Sequence, residues 1–265
     1  MKSRLCSLFV AAASLLSFAA GAASPTLAAI QERGVLRVGT EAGYMPFVMR
    51  DKSGELIGFD MDMAKLMARK LGVKLELVNI SWDGIIPALL TGKFEVLMGG
   101  MTITEDRAQR VDFSDPYIEI GQSVLITHKL AQRVKSHRDL NDPKFRVVSK
   151  LGTTGEIAAR KHLPRARIRT FETESEAAME VRNGRADAFV YDFPFNAVFA
   201  AQHKDSMVNL GPPFTREPLG WAMRQKDPEF VAWANGFLAG LKADGTHAAL
   251  YRKWFESDAW LANVN

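Results

Sequence analysis

Apolar and polar residues alternate along the chain with two different periods. Val35-Leu36-Arg37-Val38-Gly39 reads as a short apolar strand, and Lys74 to Val78 alternates as a half-buried strand does. Between them, Phe59 to Leu71 has helical spacing, with Met63, Leu66, Met67 and Leu71 on one face and Gly72 as a C-terminal stop. Ile85 to Leu90 predicts a further helix and Phe94 to Met98 a buried strand. The pattern then runs a second time: strand Phe145–Val148, helix Glu156–His162, strand Ile168–Phe171, helix Ser175–Asn183 stopped by Gly184, and strand Ala186–Tyr191. After Pro212-Pro213 come a strand at Leu219–Met223 and two amphipathic helices, Pro228–Ala243 and His247–Phe255. Strands interleaved with helices predict parallel α/β sheets. Two sequential sets predict two lobes. Ligands of such sheets bind outside the carboxyl ends of the strands, so facing lobes would enclose a cleft.

Residues 1–23 stand outside this pattern. Lys2 and Arg4 precede an apolar run from Leu5 to Ala20, and Gly21-Ala22-Ala23 follow. That predicts a cleaved secretory signal peptide, because the run is short and rich in Ala and Ser, whereas roughly 20 strongly apolar residues are needed to span a bilayer. The single Cys of the chain, Cys6, would leave with it, so no internal disulfide and no Cys-based metal site is expected. The formal charge of +4 loses Lys2 and Arg4 at the same time. What remains is interspersed, as in Glu105-Asp106-Arg107, and forms no basic stripe for nucleic acid.

Three features fall where the cleft would form. Gly99 to Arg107 follows the Phe94–Met98 strand: small residues let a ligand approach the backbone, Thr102 or Thr104 can cap a helix, and Arg107 offers a planar fork for a carboxylate. Lys150-Leu151-Gly152-Thr153-Thr154-Gly155-Glu156 makes a second strand-to-helix turn, without the spacing of a phosphate loop. Asp192, in Tyr191-Asp192-Phe193-Pro194, ends a strand and can accept from an ammonium group. Each has a plainer reading: a capped helix with a surface Arg, a connecting turn, an Asp that caps the next helix. Together they supply a cation and an anion complementary to a zwitterion. Tyr44 and Trp82 can wall a side chain. The five His show no metal spacing, and no Ser sits in a nucleophile elbow.

The chain resembles the periplasmic solute-binding proteins for amino acids that serve ABC importers, solute-binding protein family 3. The resemblance rests on Leu36-Arg37-Val38-Gly39-Thr40, Gly58-Phe59-Asp60-Met61-Asp62-Met63-Ala64, Gly99 to Arg107, Asp112-Phe113-Ser114-Asp115-Pro116-Tyr117, and Asp244-Gly245-Thr246 before Tyr251-Arg252-Lys253-Trp254-Phe255. It implies the type II periplasmic-binding-protein fold: two Rossmann-like α/β lobes joined by two hinge strands. Lobe 1 would be residues 24–124 plus 217–265 and lobe 2 residues 125–216, crossing near Val124–His128 and Thr215–Leu219. It also implies that Arg107 binds an α-carboxylate with the N–H groups of Thr102 and Thr154. Asp192, the Gly100 carbonyl and the Thr102 hydroxyl would take the α-ammonium, and hinged closure would follow. Met101 and Thr153 complete the two turns as lining candidates.

Glu41 matches a site often acidic in the family and Lys150 one that contacts the ligand in glutamine binders; the alternative is that the two pair with each other and leave selectivity to shape. An acid and a base together suit a polar, neutral amino acid such as glutamine. Gly100, where histidine or arginine binders often have Ser, points the same way. The implied partners are a free L-amino acid and a membrane permease. The protein is expected in the periplasm as a monomer, without cofactor or metal. The rival expectation is an enzyme resembling cyclohexadienyl or arogenate dehydratase, with Glu41, Glu156 or Glu172 as acid or base.

Overall fold

The computed structural model describes residues 24–264, so the expected signal segment with Cys6 lies outside the described residues. In chain order the first part runs α1 (Pro25–Arg33), β1 (Val35–Thr40), the short strands β2 (Met49–Arg50) and β3 (Leu56–Ile57), α2 (Phe59–Leu71), β4 (Lys74–Asn79), α3 (Trp82–Leu90), β5 (Val96–Leu97), α4 (Glu105–Ala108), β6 (Asp112–Phe113) and β7 (Ile118–Ile120). The middle runs β8 (Gln122–Thr127), α5 (His128–Ala131), β9 (Arg146–Lys150), α6 (Thr154–His162), β10 (Arg167–Phe171), α7 (Glu174–Arg182), β11 (Ala188–Asp192), α8 (Phe193–Gln202) and β12 (Met207–Leu210). The chain returns through β13 (Glu217–Leu219), β14 (Ala222–Met223), α9 (Pro228–Ala243) and α10 (Thr246–Phe255).

Two five-stranded sheets result, ordered β4-β1-β5-β14-β6 and β10-β9-β11-β8-β12. Each has a parallel β-α-β-α-β half, as the periodicity predicts. Each also has an antiparallel edge, which corrects the all-parallel expectation: β14 runs against β5 and β6, and β8 runs against β11 and β12. The predicted strand Leu219–Met223 is broken at Gly220-Trp221, so that Leu219 ends β13 and Ala222 starts β14.

The two halves repeat a clamp. In lobe 1 the backbone N–H and side chain of Arg37 both donate to Glu95, which precedes β5; in lobe 2 those of Arg146 both donate to Asp187, which precedes β11. Each clamp ties the first strand of its sheet's parallel half to the entry of the third strand of that half.

Between the sheets, β7 pairs antiparallel with β13, with Ile118 opposite Leu219 and Ile120 opposite Glu217. This two-stranded ribbon is the hinge. The first crossing was expected near Val124–His128, but Val124 to Thr127 is hydrogen-bonded on both sides within the second sheet. The passage therefore lies earlier, at Ile118–Gly121. Gly121 is needed there, because a Cβ would stand 2.0 Å from the Thr215 carbonyl oxygen. The second crossing falls in the expected stretch. No helix among the described residues is long and apolar enough to cross a membrane.

Candidate functional site

A cavity between the lobes is lined by Glu41, Tyr44, Trp82, Gly99, Gly100, Thr102 and Arg107 from one side and Lys150, Thr153, Thr154, Tyr191 and Asp192 from the other. The lobe 1 residues follow the carboxyl ends of β1, β4 and β5, and the lobe 2 residues those of β9 and β11, as open α/β sheets require.

At one end, Arg107 stands on the short helix α4, whose N-terminus Thr104 caps by accepting from the Arg107 N–H. Its guanidinium donates to the Thr102 carbonyl at 2.9 Å and the Gly152 carbonyl at 3.4 Å, and lies 5.3 Å from the Trp82 ring centre. Among the described residues its hydrogen bonds reach no carboxylate. Burial pushes its pKa down, opposed by Asp192 and Glu217. Thr154 opens α6, where the backbone N–H has no intrahelical acceptor.

Asp192 occupies the N-cap position of α8, yet its carboxylate makes no capping bond. Instead it accepts from the Tyr44 hydroxyl across the lobes and from Gln122 Nε2. Burial first, and the neighbouring Glu217 charge, push its pKa up to about 7 against the Tyr44 and Gln122 hydrogen bonds and Arg107. The plain capping reading of Asp192 thus fails, and so does that of Arg107 as a surface residue.

At the other end, the Lys150 ammonium is 2% exposed and pairs with Glu41 of lobe 1 and with Glu174 of lobe 2, the latter at 2.7 Å. Burial opposes its charge, but Glu174 and Glu41 more than offset this and its pKa is raised. Burial raises the Glu41 pKa despite Lys150. The other Glu41 oxygen accepts from the Trp82 N–H at 3.0 Å, at the start of α3. The Trp82 indole N–H donates to the Gly152 carbonyl at 3.1 Å, so the ring is held between lobes with Lys150 5.7 Å from its centre.

Beneath the cavity, Asp60 of the Gly-Phe-Asp block is fully buried and accepts from the Gly100 N–H and the Tyr117 hydroxyl, both at 2.9 Å. Three blocks far apart in sequence thus meet at one carboxylate, which burial raises to about 7. Gly100 has φ +73, and a Cβ there would stand 2.1 Å from the Tyr44 ring. Asp62 of the same block accepts from Lys253 and Trp254, anchoring α10.

Of the residues expected at the site, Glu41, Tyr44, Trp82, Gly100, Thr102, Arg107, Lys150, Thr153, Thr154 and Asp192 line this cavity. Met101 does not: alternation along the chain turns its side chain into the core, with Ile85, Leu97 and Val111. Glu172 is exposed, and Glu156 is engaged by the Gly152 N–H and Arg160 on the outer side of α6. Gly99 and Tyr191 line the cavity too, and a charged residue that sequence reasoning missed is Glu174, two positions after Glu172, which the Thr173 capping box places at the first turn of α7. The Thr-x-x-Glu pattern at 173–176 was a legible signal for that helix start. A larger groove lies elsewhere, behind the hinge between α8 and α10; apolar Ile118, Phe193, Pro194 and Phe255 line it together with Glu119, Arg216, Glu256 and Asp258, and Arg216 pairs with Glu119.

Two α/β lobes on a two-stranded hinge, enclosing a cavity with a guanidinium near one wall and a carboxylate opposite, define a hinged small-molecule-binding protein. A model of the bacterial extracellular solute-binding proteins, family 3, matches residues 36–257, and the chain belongs to that family. It is similar to the L-cystine-binding protein TcyJ of Escherichia coli, 31% identical over 229 residues, spanning 86% of this chain and 85% of that protein. A crystal structure of the ancestral amino acid-binding protein AncCDT-1, a precursor of cyclohexadienyl dehydratase, is 52% identical with a TM-score of 0.83, covering 87% of this chain and 99% of the other. In a second structure the same protein is described as a cationic amino acid solute-binding protein, at 53% identity, a TM-score of 0.73 and the same coverage. A binding component of an ABC transporter from Wolinella succinogenes, complexed with lysine, is 49% identical with a TM-score of 0.84, again covering 87% and 99%.

Proposed function

We propose that this chain is the periplasmic receptor of an ABC importer and captures a free L-amino acid with a cationic side chain, such as lysine, as a monomer. Residues 1–23 would direct its export. The observation that carries the reading is the charge pattern of the cavity: a guanidinium bonded only to carbonyls at one end, and two carboxylates, Glu41 and Glu174, against the single ammonium of Lys150 at the other. The α-carboxylate takes Arg107 and the Thr102 and Thr154 N–H groups. The α-ammonium takes Asp192, the Thr102 hydroxyl and the Gly100 carbonyl. Charge-assisted bonds of this kind contribute roughly 1.5–3 kcal/mol each.

Lys150 had argued against a cationic ligand and for glutamine. That argument loses force once Glu174 is counted, since the three groups together carry one surplus negative charge. The Gly100 argument loses force too, because Gly100 answers to the Tyr44 ring rather than to the ligand's charge. The lysine complexed by the Wolinella succinogenes relative and the cationic specificity named for AncCDT-1 support the same choice.

Binding proceeds by hinged closure. The ligand meets Arg107 and the aromatic walls of lobe 1, and lobe 2 adds Thr154, Glu174 and Asp192, so only the closed state makes both sets of contacts. A membrane permease then reads the closed shape. Of the acids expected for a dehydratase, only Glu41 lines the cavity, and it is engaged by Lys150 and the Trp82 N–H.

A thermal-shift screen over the twenty amino acids tests this, since a ligand specific to the folded state raises its stability. Lysine or arginine should give the largest shift, and Glu41→Gln should move the preference toward neutral ligands. A largest shift with glutamine or glutamate would sink the cationic assignment. Aromatic product from prephenate or arogenate would sink the non-catalytic one.

A further inference from the structure

The hinge itself holds a buried carboxylate that lines no part of the ligand cavity. Glu217 is the first residue of β13 and 8% exposed. One of its oxygens accepts from the Thr215 hydroxyl at 2.7 Å; the other accepts from Gln122 Nε2 at 3.1 Å and, at a long 3.4 Å, from the Thr102 hydroxyl. All three donors are neutral, and among the described residues no cation pairs with Glu217. Gln122, fully buried at the start of β8, uses the same nitrogen to donate to Asp192. An amide nitrogen has two hydrogens, and the two carboxylates are nearer acceptors than the Thr154 hydroxyl at 3.3 Å, so one can serve each carboxylate. Among the described residues the Gln122 oxygen has no donor, because the two acids decide which end of the amide faces them.

We propose that Glu217 is a positioning residue for the ammonium end of the ligand, acting through the Gln122 amide to set the charge and orientation of Asp192 and tying both to hinge strand β13. The proposal rests on the amino-acid-binding reading above. It makes the hinge part of ammonium recognition: Gln122 and Asp192 face each other across the β8–β11 pair of lobe 2, and the amide links that pair to β13 of the hinge.

The consequence is a proton linkage. The groups facing Asp192 are Tyr44 from the loop after β1, Gln122 on β8, Glu217 on β13, Arg107 on α4, Tyr117 from the loop before β7 and Tyr191 on its own strand. Glu217 works with burial to raise the Asp192 pKa to about 7, while the Tyr44 and Gln122 donors and Arg107 lower it. An ammonium requires the carboxylate. Affinity should therefore rise with pH through about 7 and level off above, as the proton that binding must release is already gone.

Calorimetry on the full mature chain at pH 6 and pH 8, with L-lysine and L-glutamine as separate probes, tests this, since the α-ammonium is common to both. Wild type should bind about tenfold more weakly at pH 6. Glu217→Gln should shrink that ratio below about threefold, and Glu217→Asp, which keeps the charge, should restore it. Gln122→Met, which removes a donor from Asp192, should enlarge the ratio. An unchanged ratio in Glu217→Gln, even with lower affinity, would overturn the proposal, and so would a smaller ratio in Gln122→Met. Failure of wild type to bind any amino acid would overturn the binding reading itself.

Discussion

Arg107 and Asp192 carry opposite charges into one cavity without pairing with each other. The carboxylate is occupied by Tyr44 and Gln122, and the guanidinium by two carbonyls and the Trp82 face. Arg107→Ala should abolish detectable amino-acid binding while leaving the circular dichroism spectrum and unfolding midpoint close to wild type; tight binding by the folded variant would refute its role. Asp60 gives a second residue-scale expectation. Its folded pKa of about 7 lies above the unfolded value of 3.8, so the stability it contributes is fully present below about 4 and lost as pH rises through about 7. Asn offers the same acceptor to the Gly100 N–H and the Tyr117 hydroxyl but carries no charge. Asp60→Asn should therefore flatten the dependence of the unfolding midpoint on pH between 5 and 8 and raise the midpoint at pH 8. A variant that loses more stability at pH 8 than at pH 5 would contradict this.

At the scale of elements, the ends of helices and strands explain why the site residues point where they do. Thr104, Thr153 and Thr173 cap α4, α6 and α7, and these caps aim Arg107, Thr154 and Glu174 at the cleft. Asp227 does a different task, accepting from the Phe230 N–H at the start of α9 and from Ser24 and the Thr26 N–H, which fastens α1 to the same lobe. Asp227→Ala should cost about 1–3 kcal/mol. The unfolding midpoint should fall by roughly 2–4 °C for each kcal/mol, with ligand affinity unaltered. An unchanged midpoint would mean that neither the cap nor the tie contributes. The elements with clear periodicity, α2 and α9, match the sequence prediction residue for residue. The edge strands β6 and β12 and the hinge strand β7 escaped it, because they are short and their pairing partners are remote in the chain. The break at Gly220-Trp221 escaped for a related reason: a continuous apolar run looks alike whether it serves one sheet or passes from the hinge into another.

At the scale of the molecule, three contacts join the lobes, Tyr44 to Asp192, Lys150 to Glu41, and the Trp82 indole to the Gly152 carbonyl, and the proposed closure would make or break them together. Small-angle scattering should show the radius of gyration falling when lysine saturates the protein, and Arg107→Ala should show no fall. A radius unchanged by ligand in wild type would exclude hinged closure as the response to binding.

The sequence by itself determined the two α/β lobes and the strand-end turns, since period, caps and motif spacing are local properties, and its resemblance to the family named ten of the twelve residues that line the cavity, Glu41 and Lys150 by that resemblance alone. It also held Glu174 and Glu217, but neither stands in a local pattern that marks a ligand site. Their importance comes from what the fold sets beside them. Glu174 meets Lys150 from a neighbouring helix, and Glu217 meets Gln122 across the hinge, 95 positions away. Only the tertiary structure decided the charge balance of the cavity, on which the proposal of a cationic ligand rests. Burial and pairing set that balance, and both depend on neighbours that lie close in space and far apart along the chain.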